Sequence, residues 1–328
     1  MVLPTFSFET TAEEVATTFA EEIQGKNVLI TGTSQNGIGF ETARVIAKHA
    51  NLVIITGYSE ERLRLSEDAI KKEVSSAKIE RLVINLSSLA GVRKAANVVN
   101  AHSLPLHVLI HNAAAPIAPF KLTVDGLESQ FATDHVGPFL FTKLLSPKLL
   151  AARTTDYTPR VVFVSSSGHA LGTGVDFDVL EHPDPAKYHL SDAYFQAKSA
   201  NILTAIELSR SSKGAINAYS LHPGVIYTTM VAREESRAAL QDLGMLGPEG
   251  LPDEARIQWK NIAQGAATTV VAAFDPRLND TPGAYLNDCV VANELVAAHS
   301  SDAANAAKLW TVTEKIIGGE VHSVVQPR

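Results

Sequence analysis

The sequence predicts a doubly wound α/β domain built on one parallel sheet, and three observations carry that prediction. Between residues 27 and 222, short apolar runs alternate with stretches of helical periodicity, the pattern of a parallel sheet covered by helices on both faces. The first run closes on a glycine-rich stretch, Thr31-Gly32-Thr33-Ser34-Gln35-Asn36-Gly37-Ile38-Gly39, that leads into a helical segment. Strand, glycine turn and helix in that order make a cradle where backbone N–H groups and a helix N-terminus can hold a pyrophosphate. Third, no internal repeat or low-complexity tract interrupts the alternation, so a single domain of Rossmann type is expected. A hydrophobic content of 45% suffices for a large core. Net charge is 28 − 35 = −7, which disfavours nucleic acid as a partner. The single Cys289 excludes an intrachain disulfide and fits a reducing compartment. With no basic-then-apolar leader and no apolar stretch of bilayer length, a soluble cytoplasmic protein without membrane segments is expected. No His/Cys/Asp/Glu spacing suggests a metal site.

Residues 1–25 form an N-terminal extension ahead of the first strand. Thr11 with Glu14 makes a capping-box pattern, and Val15, Phe19 and Ile23 recur every fourth residue, so a short amphipathic helix packed on the main domain is expected. The main domain, 26–328, opens with the strand 27–31 and the helix 37–50. The β-branched run 52–56 is the second strand, followed by a charged helix over 60–74. Strand three is placed at 81–86 with a helix over 89–101, and strand four at 107–111 with a long helix over 130–152. Strand five at 160–165 leads to a helix over 192–212, and strand six is 217–222. Crossovers should be right-handed. Gly244, Gly247, Pro248, Gly250 and Pro252 break the periodicity within 228–258, where a flexible lid is expected. A helix over 258–274, a short strand at 284–286 and a helix over 303–317 complete the chain.

The chemistry concentrates on Tyr194-Phe195-Gln196-Ala197-Lys198. Four-residue spacing puts the phenol and the ammonium on one helical face. A phenol ordinarily ionises near pH ~10, and a nearby cation favours the phenolate, so such a pair suits general acid/base work. Tyr-x-x-x-Lys alone is common on solvated helices; its place after the glycine turn gives it weight. Ser166 lies 28 residues before Tyr194, just past strand five, at the carboxyl edge where ligands of doubly wound sheets bind. Three consecutive serines also make an ordinary polar turn, and position alone leaves Ser165 and Ser167 open.

The glycine turn, the Ser165-Ser166-Ser167 strand end and the Tyr194/Lys198 pair, in this order, resemble the short-chain dehydrogenase/reductase family. Gln264-Gly265-Ala266-Ala267, Ala284-Tyr285 and Leu309-Trp310 resemble its retinol-dehydrogenase-like branch, and the likeness spans about residues 26–318. The resemblance implies an oxidoreductase that interconverts a ketone or aldehyde with an alcohol by hydride transfer. It makes Tyr194 the general acid/base, Ser166 the hydroxyl that holds the substrate oxygen, and Lys198 the residue that assists Tyr194 and bonds the nicotinamide ribose. It implies cofactor contacts from Gly32, Ser34, Asn36, Gly37, Ile38 and Gly39, from Asn85 and Leu86, from Asn112 and Ala113, and from Pro223, Gly224 and Thr228. Tyr194 and Lys198 belong to the cofactor set as well.

Several features depart from the family pattern. One extra residue separates Gly32 from Gly37. Asp134-His135 stands where relatives carry Asn-His, whose asparagine anchors a water that relays protons to the lysine; Asp134 is a catalytic candidate that brings charge there. NAD-preferring folds end strand two on an acid, whereas Thr56-Gly57-Tyr58-Ser59 has none before Glu60. NADP(H) is therefore the expected cofactor, with NAD(H) the alternative, and Ser34, Tyr58, Ser59 or Arg62 are the candidate donors to its 2′-phosphate.

The partner implied is a small carbonyl or alcohol in an apolar pocket bounded by 115–120, 168–171 and 228–258, with His169 on its wall and His222 a satisfied strand-end residue. The resemblance also implies a homodimer paired across 130–152 and 192–212, where Phe139, Leu140, Leu144 and Leu145 recur. Asp134 raises a second reading on the same fold, an isomerase, epimerase or dehydratase. A third is a nucleotide-sensing binding protein, against which the intact Ser166, Tyr194 and Lys198 set argues.

Overall fold

The structure, a computed structural model, describes residues 4–318. In chain order the strands are β1 (Asn27–Thr31), β2 (Leu52–Gly57), β3 (Ile79–Val83), β4 (Val108–His111), β5 (Arg160–Val164) and β6 (Asn217–His222), then β7 (Val225–Ile226), β8 (Trp259–Lys260), β9 (Tyr285–Asn287) and β10 (Val290–Val291). Eight of them form one sheet in the order β10-β9-β6-β5-β4-β1-β2-β3, and β7 pairs with β8 apart from it. All neighbours in the large sheet are parallel except the β9–β10 hairpin. Every residue of β1 and β5 is buried, which is why their stretches Val28–Ile30 and Val161–Val164 are apolar without a break.

The helices are α1 (Ala12–Thr18), α2 (Ala20–Ile23), α3 (Ile38–Ile46), α4 (Glu60–Glu73), α5 (Leu89–Ala101), α6 (Ser129–Phe131), α7 (Gly137–Leu150), α8 (Phe177–Glu181), α9 (Leu190–Ser211), α10 (Glu234–Asp242), α11 (Ile262–Phe274), α12 (Ala298–Ser301) and α13 (Ala303–Ile316). Side chains of α1, α3, α4 and α11 build the core on one face of the sheet, and those of α5, α7, α9 and α13 build it on the other. The Thr11–Glu14 capping box is present, with the Thr11 N–H donating to Glu14 Oε2 at 2.7 Å. Val15, Phe19 and Ile23 are buried in the core that α3 and α11 build, with α1 packed on both helices. Residues 12–23 thus share the core of the sheet, and Glu13 adds ion pairs to Arg44 (3.0 Å) and Lys48 (2.8 Å).

Three of the differences from the sequence expectation have a local physical reason. Strand three ends at Val83 because its only partner, β2, ends at Gly57; Ile84 and Leu86 remain buried beyond the ladder. The helix placed over 258–274 begins at Ile262, where Asn261 and Gln264 form a capping box that the sequence already contained. The long helix over 130–152 is interrupted by a π turn, Ala132–Val136. Pro138 has no N–H for the Asp134 carbonyl, so the regular i→i−4 ladder lapses there, and the Gly137 N–H bonds the Ala132 carbonyl instead.

The face expected to pair two copies is covered by the chain itself. α13 packs on α9, and Trp310 stands edge-on to Phe139 with ring centroids 4.7 Å apart. Phe139, Leu140 and Leu145 are buried, and Lys143 pairs with Glu314 of α13.

Two buried histidines join the layers. His111 Nε2 lies 2.8 Å from Thr142 Oγ1, and His135 Nε2 lies 2.9 Å from Thr313 Oγ1 of α13. Burial pushes both imidazoles down to about 3. The unfolded chain protonates them below pH ~6.5, so their contribution is complete above that pH and is lost as pH falls toward 3. Each should cost about 2 kcal/mol of stability at pH 5 relative to pH 7. Urea melts at the two pH values test this; equal midpoints would contradict it.

Candidate active site

A groove of about 230 Å³ follows the carboxyl ends of the strands, past Gly32, Ser34, Gly37 and Ile38 to Asn112 and Ala113. It continues to Tyr194, Lys198, Pro223 and Thr228. Gly32 has φ +74°, and a Cβ there would stand 2.7 Å from Ala113 Cα, so only glycine fits. Gly39 answers to a different neighbour. The Asn112 amide crosses it to donate to the carbonyls of Thr31 and Gly32, both at 3.0 Å, and a Gly39 Cβ would meet that amide at 2.3 Å. Asn112 therefore braces the turn. The extra residue is absorbed by exposed Asn36 at φ 61°, a left-handed conformation that asparagine tolerates. Gly37 still caps α3, leaving that helix N-terminus beside the groove. These features fit a dinucleotide pyrophosphate.

Not every expected contact faces the groove. Tyr58 is 78% exposed, and the Ser59 hydroxyl is used to cap α4 by accepting from the Arg62 N–H at 3.4 Å. Asn85 Oδ1 accepts from the Ser87 N–H and hydroxyl at 3.1 and 2.7 Å, and Leu86 lies in the core. Of the phosphate donors considered, Ser34 and Arg62 border the groove.

At its inner end the groove meets a mostly apolar cavity of about 290 Å³. All three serines border this cavity, and what differs is how each hydroxyl is used. Ser165 donates its hydroxyl to the Lys198 carbonyl at 2.7 Å, and Ser167 is exposed. Ser166 borders the cavity beside Tyr194, and its Oγ accepts from the Gly168 N–H at 3.0 Å, leaving the hydroxyl proton available. Lys198 Nζ stands 5.2 Å from the Tyr194 ring centroid. Pro223 and Gly224 line the cavity with Thr228.

Asp134 touches Lys198 directly, where the resemblance implied a water between them. Its Oδ2 is 3.2 Å from Lys198 Nζ and accepts from Gln130 Nε2 at 3.2 Å, while Oδ1 accepts from the Ala115 N–H at 2.7 Å. The π turn aims it there, and its side chain is fully buried. Burial pushes the Asp134 carboxyl above the ordinary aspartate range against the pull of Lys198. Burial also works against the Lys198 charge, yet Asp134 and Tyr194 hold that ammonium above the usual lysine range.

His169 is not where it was expected, whereas His222 is the satisfied strand-end residue expected and also faces the cavity. His169 is buried and satisfied, with Nδ1 2.7 Å from the Ser166 carbonyl and Nε2 accepting from the Ala297 N–H at 3.2 Å. His222 borders the cavity; its Nδ1 accepts from the Ser167 N–H at 3.1 Å, and burial pushes it down to about 4. The segment 228–258 carries α10 and a bridge between Leu246 and Pro252, and it supplies Met230, Val231, Leu240 and Met245 to the cavity wall. No periodicity announces those wall residues, because they come from turns and one face of a short helix.

Fold and groove together define a dinucleotide-binding α/β protein. The family profile described as short chain dehydrogenase matches residues 26–174. The chain is 37% identical to short-chain dehydrogenase TIC 32 A, chloroplastic, of Brassica napus, over 94% of this chain and 92% of that one. It is 34% identical to the WW domain-containing oxidoreductase of Homo sapiens, over 94% of this chain and 71% of that one. Among solved structures, an uncharacterized protein from Mycobacterium paratuberculosis aligns with a TM-score of 0.67 at 27% identity, over 92% of this chain and 98% of that one. A 3-oxoacyl (acyl-carrier-protein) reductase from Agrobacterium tumefaciens, solved with NADP bound, shares the fold at a TM-score of 0.59 and 19% identity, over 80% of this chain and 93% of that one. The chain belongs to the short-chain dehydrogenase/reductase family, an NAD(P)-dependent oxidoreductase family. None of these relatives is a retinol dehydrogenase by name. The Brassica protein is chloroplastic, so kinship does not point to the cytoplasm. Among the described residues no helix is long and apolar enough to cross a membrane.

Proposed function

We propose that the chain is an NADP(H)-dependent oxidoreductase that interconverts a compact, apolar ketone or aldehyde with its alcohol. The observation that carries this reading is that Ser166 and Tyr194 border one apolar cavity where the glycine-turn groove ends, with Lys198 against the tyrosine ring. Bound in that groove, the nicotinamide supplies or accepts the hydride. Tyr194 Oη gives a proton to the carbonyl oxygen in reduction and takes one from the alcohol in oxidation. Ser166 donates its free hydroxyl proton to the same oxygen. Lys198 offsets the negative charge that develops on the Tyr194 oxygen, and Gly32, Gly37 and Ile38 bring backbone to the pyrophosphate. Asp134 is a positioning residue: both its oxygens are engaged and it is sealed from the cavity, which argues against a carboxylate-driven isomerisation or elimination. The cavity is at the small end of ligand sites, and Ile117, Leu171, Phe195 and Leu240 make its walls apolar. A mass-spectrometric screen of ketones and alcohols with both cofactors tests the reading; turnover without net cofactor consumption would count against it.

The cofactor preference rests on strand two ending at Gly57 without an acid, and the NADP held by the Agrobacterium relative is in line with it. Gly57→Asp fits the backbone, since a Cβ there would lie 3.4 Å from Leu63. The new carboxylate should repel a 2′-phosphate and accept from a ribose hydroxyl, shifting the NADPH/NADH affinity ratio by at least about tenfold toward NADH. Titration of both cofactors checks this, and wild-type preference for NADH would overturn the assignment.

A further inference from the structure

Beyond Ser34 the groove opens into a side cavity of about 480 Å³. Two arginines border both spaces: Arg62 in the first turn of α4, and Arg233 at the N-cap of α10. Arg64 and Arg81 nearby are taken up by Glu60, Glu61, Glu67 and Asp68, and Arg62 joins none of these pairs. Arg233 lies 3.2 Å from Glu235, both side chains about half exposed at 47% and 45%, an arrangement weak enough to exchange for a better anion. Arg233 also has a particular position along the chain. Thr228 and Met230 before it border both the groove and the substrate cavity, and Ser236 and Leu240 after it border the substrate cavity. The Ser236 hydroxyl fastens that far end by donating to the Ile117 carbonyl at 3.1 Å.

We propose that Arg233, with Arg62 across the groove mouth, holds the adenosine 2′-phosphate of NADP(H), and that this hold draws residues 228–240 over the substrate cavity. The inference rests on the NADP(H) reading above. Paired guanidiniums suit a phosphate dianion, because each presents a planar fork of donors. Glu234 and Glu235 border the same side cavity and oppose an anion there, so Arg233 must exchange Glu235 for the phosphate. Those carboxylates would instead suit the ribose hydroxyls of NAD(H), which is the competing occupancy.

The test titrates NADPH and NADH into the wild type, Arg233→Ala, Arg233→Lys and Arg62→Ala, followed by nicotinamide fluorescence. Arg233→Ala should weaken NADPH on the order of 10–100-fold while NADH stays within about twofold, and Arg233→Lys should recover part of the loss. With a turned-over substrate, Arg233→Ala should raise its KM when NADPH is the cofactor and leave it unchanged with NADH. Equal weakening of both cofactors, or no weakening of either, overturns the assignment of Arg233 to the 2′-phosphate. A KM unchanged with NADPH overturns the coupling to the substrate cavity. Wild-type preference for NADH is read from the wild-type arm alone and overturns the NADP(H) reading itself. Thermal melts confirm folding of the variants, whose substituted side chains are exposed.

Discussion

Tyr194→Phe is expected to lower turnover by about 10²–10⁴-fold with cofactor affinity nearly unchanged. Phenylalanine keeps the ring that packs against Ile117, Leu240 and Leu246 and that faces Lys198, so the cavity wall and the lysine environment persist. Only the oxygen that carries the proton is lost. Ser166 would still donate to the substrate oxygen, and such donors alone sustain a residual rate. NADPH titration by fluorescence beside single-turnover kinetics separates binding from chemistry. Turnover within a few-fold of wild type would remove Tyr194 from the proton path.

Asp134→Asn is expected to destabilise the protein by about 3–5 kcal/mol at neutral pH, because it removes one partner of a buried ion pair. At 3.2 Å the pair's attraction is about 5 kcal/mol at an effective dielectric of ~20, before the cost of burying both charges. The pH dependence follows from both groups. The folded Lys198 ammonium is raised, so its contribution is present below the ordinary lysine range and is lost as pH rises through the folded value. The folded Asp134 carboxyl is also raised, so it takes up a proton before an ordinary aspartate does as pH falls, and the ion pair is lost there. The stability difference between wild type and Asp134→Asn should therefore peak between those limits and shrink toward both ends. Denaturant melts across pH measure it, and a difference independent of pH would mean that the pair is not ionised.

In catalysis the same substitution removes a negative charge from behind Lys198. Lys198 borders the groove and lies 3.4 Å from the Val164 carbonyl, which favours retention of its proton. The base-dependent limb of alcohol oxidation should then move to lower pH with turnover still substantial. Near-complete loss of turnover with cofactor bound would instead place the carboxylate in the chemistry and favour the isomerase or dehydratase reading.

The sequence by itself determined what depends on near neighbours along the chain. Apolar runs alternating with helical periods marked the parallel sheet, Thr11 with Glu14 marked a helix start, and the glycines marked the turn ahead of α3. Tyr194 and Lys198 share a helical face because four residues make about one turn, wherever that helix is placed. Tertiary structure alone decided which groups meet across the chain. That Ser165 gives its hydroxyl to the Lys198 carbonyl depends on a helix 33 residues farther along the chain. The Asp134–Lys198 contact depends on a π turn, whose extra residue shifts every later side chain in a way that helical periodicity cannot register. The need for glycine at position 39 shows only when Asn112, 73 residues on, is seen lying across it (112 − 39 = 73). Phe139 reads as part of a surface for a second copy until Trp310 of α13 is seen edge-on to it. Local periodicity specifies which face of an element is apolar, but the partner that buries that face is chosen by packing over the whole chain.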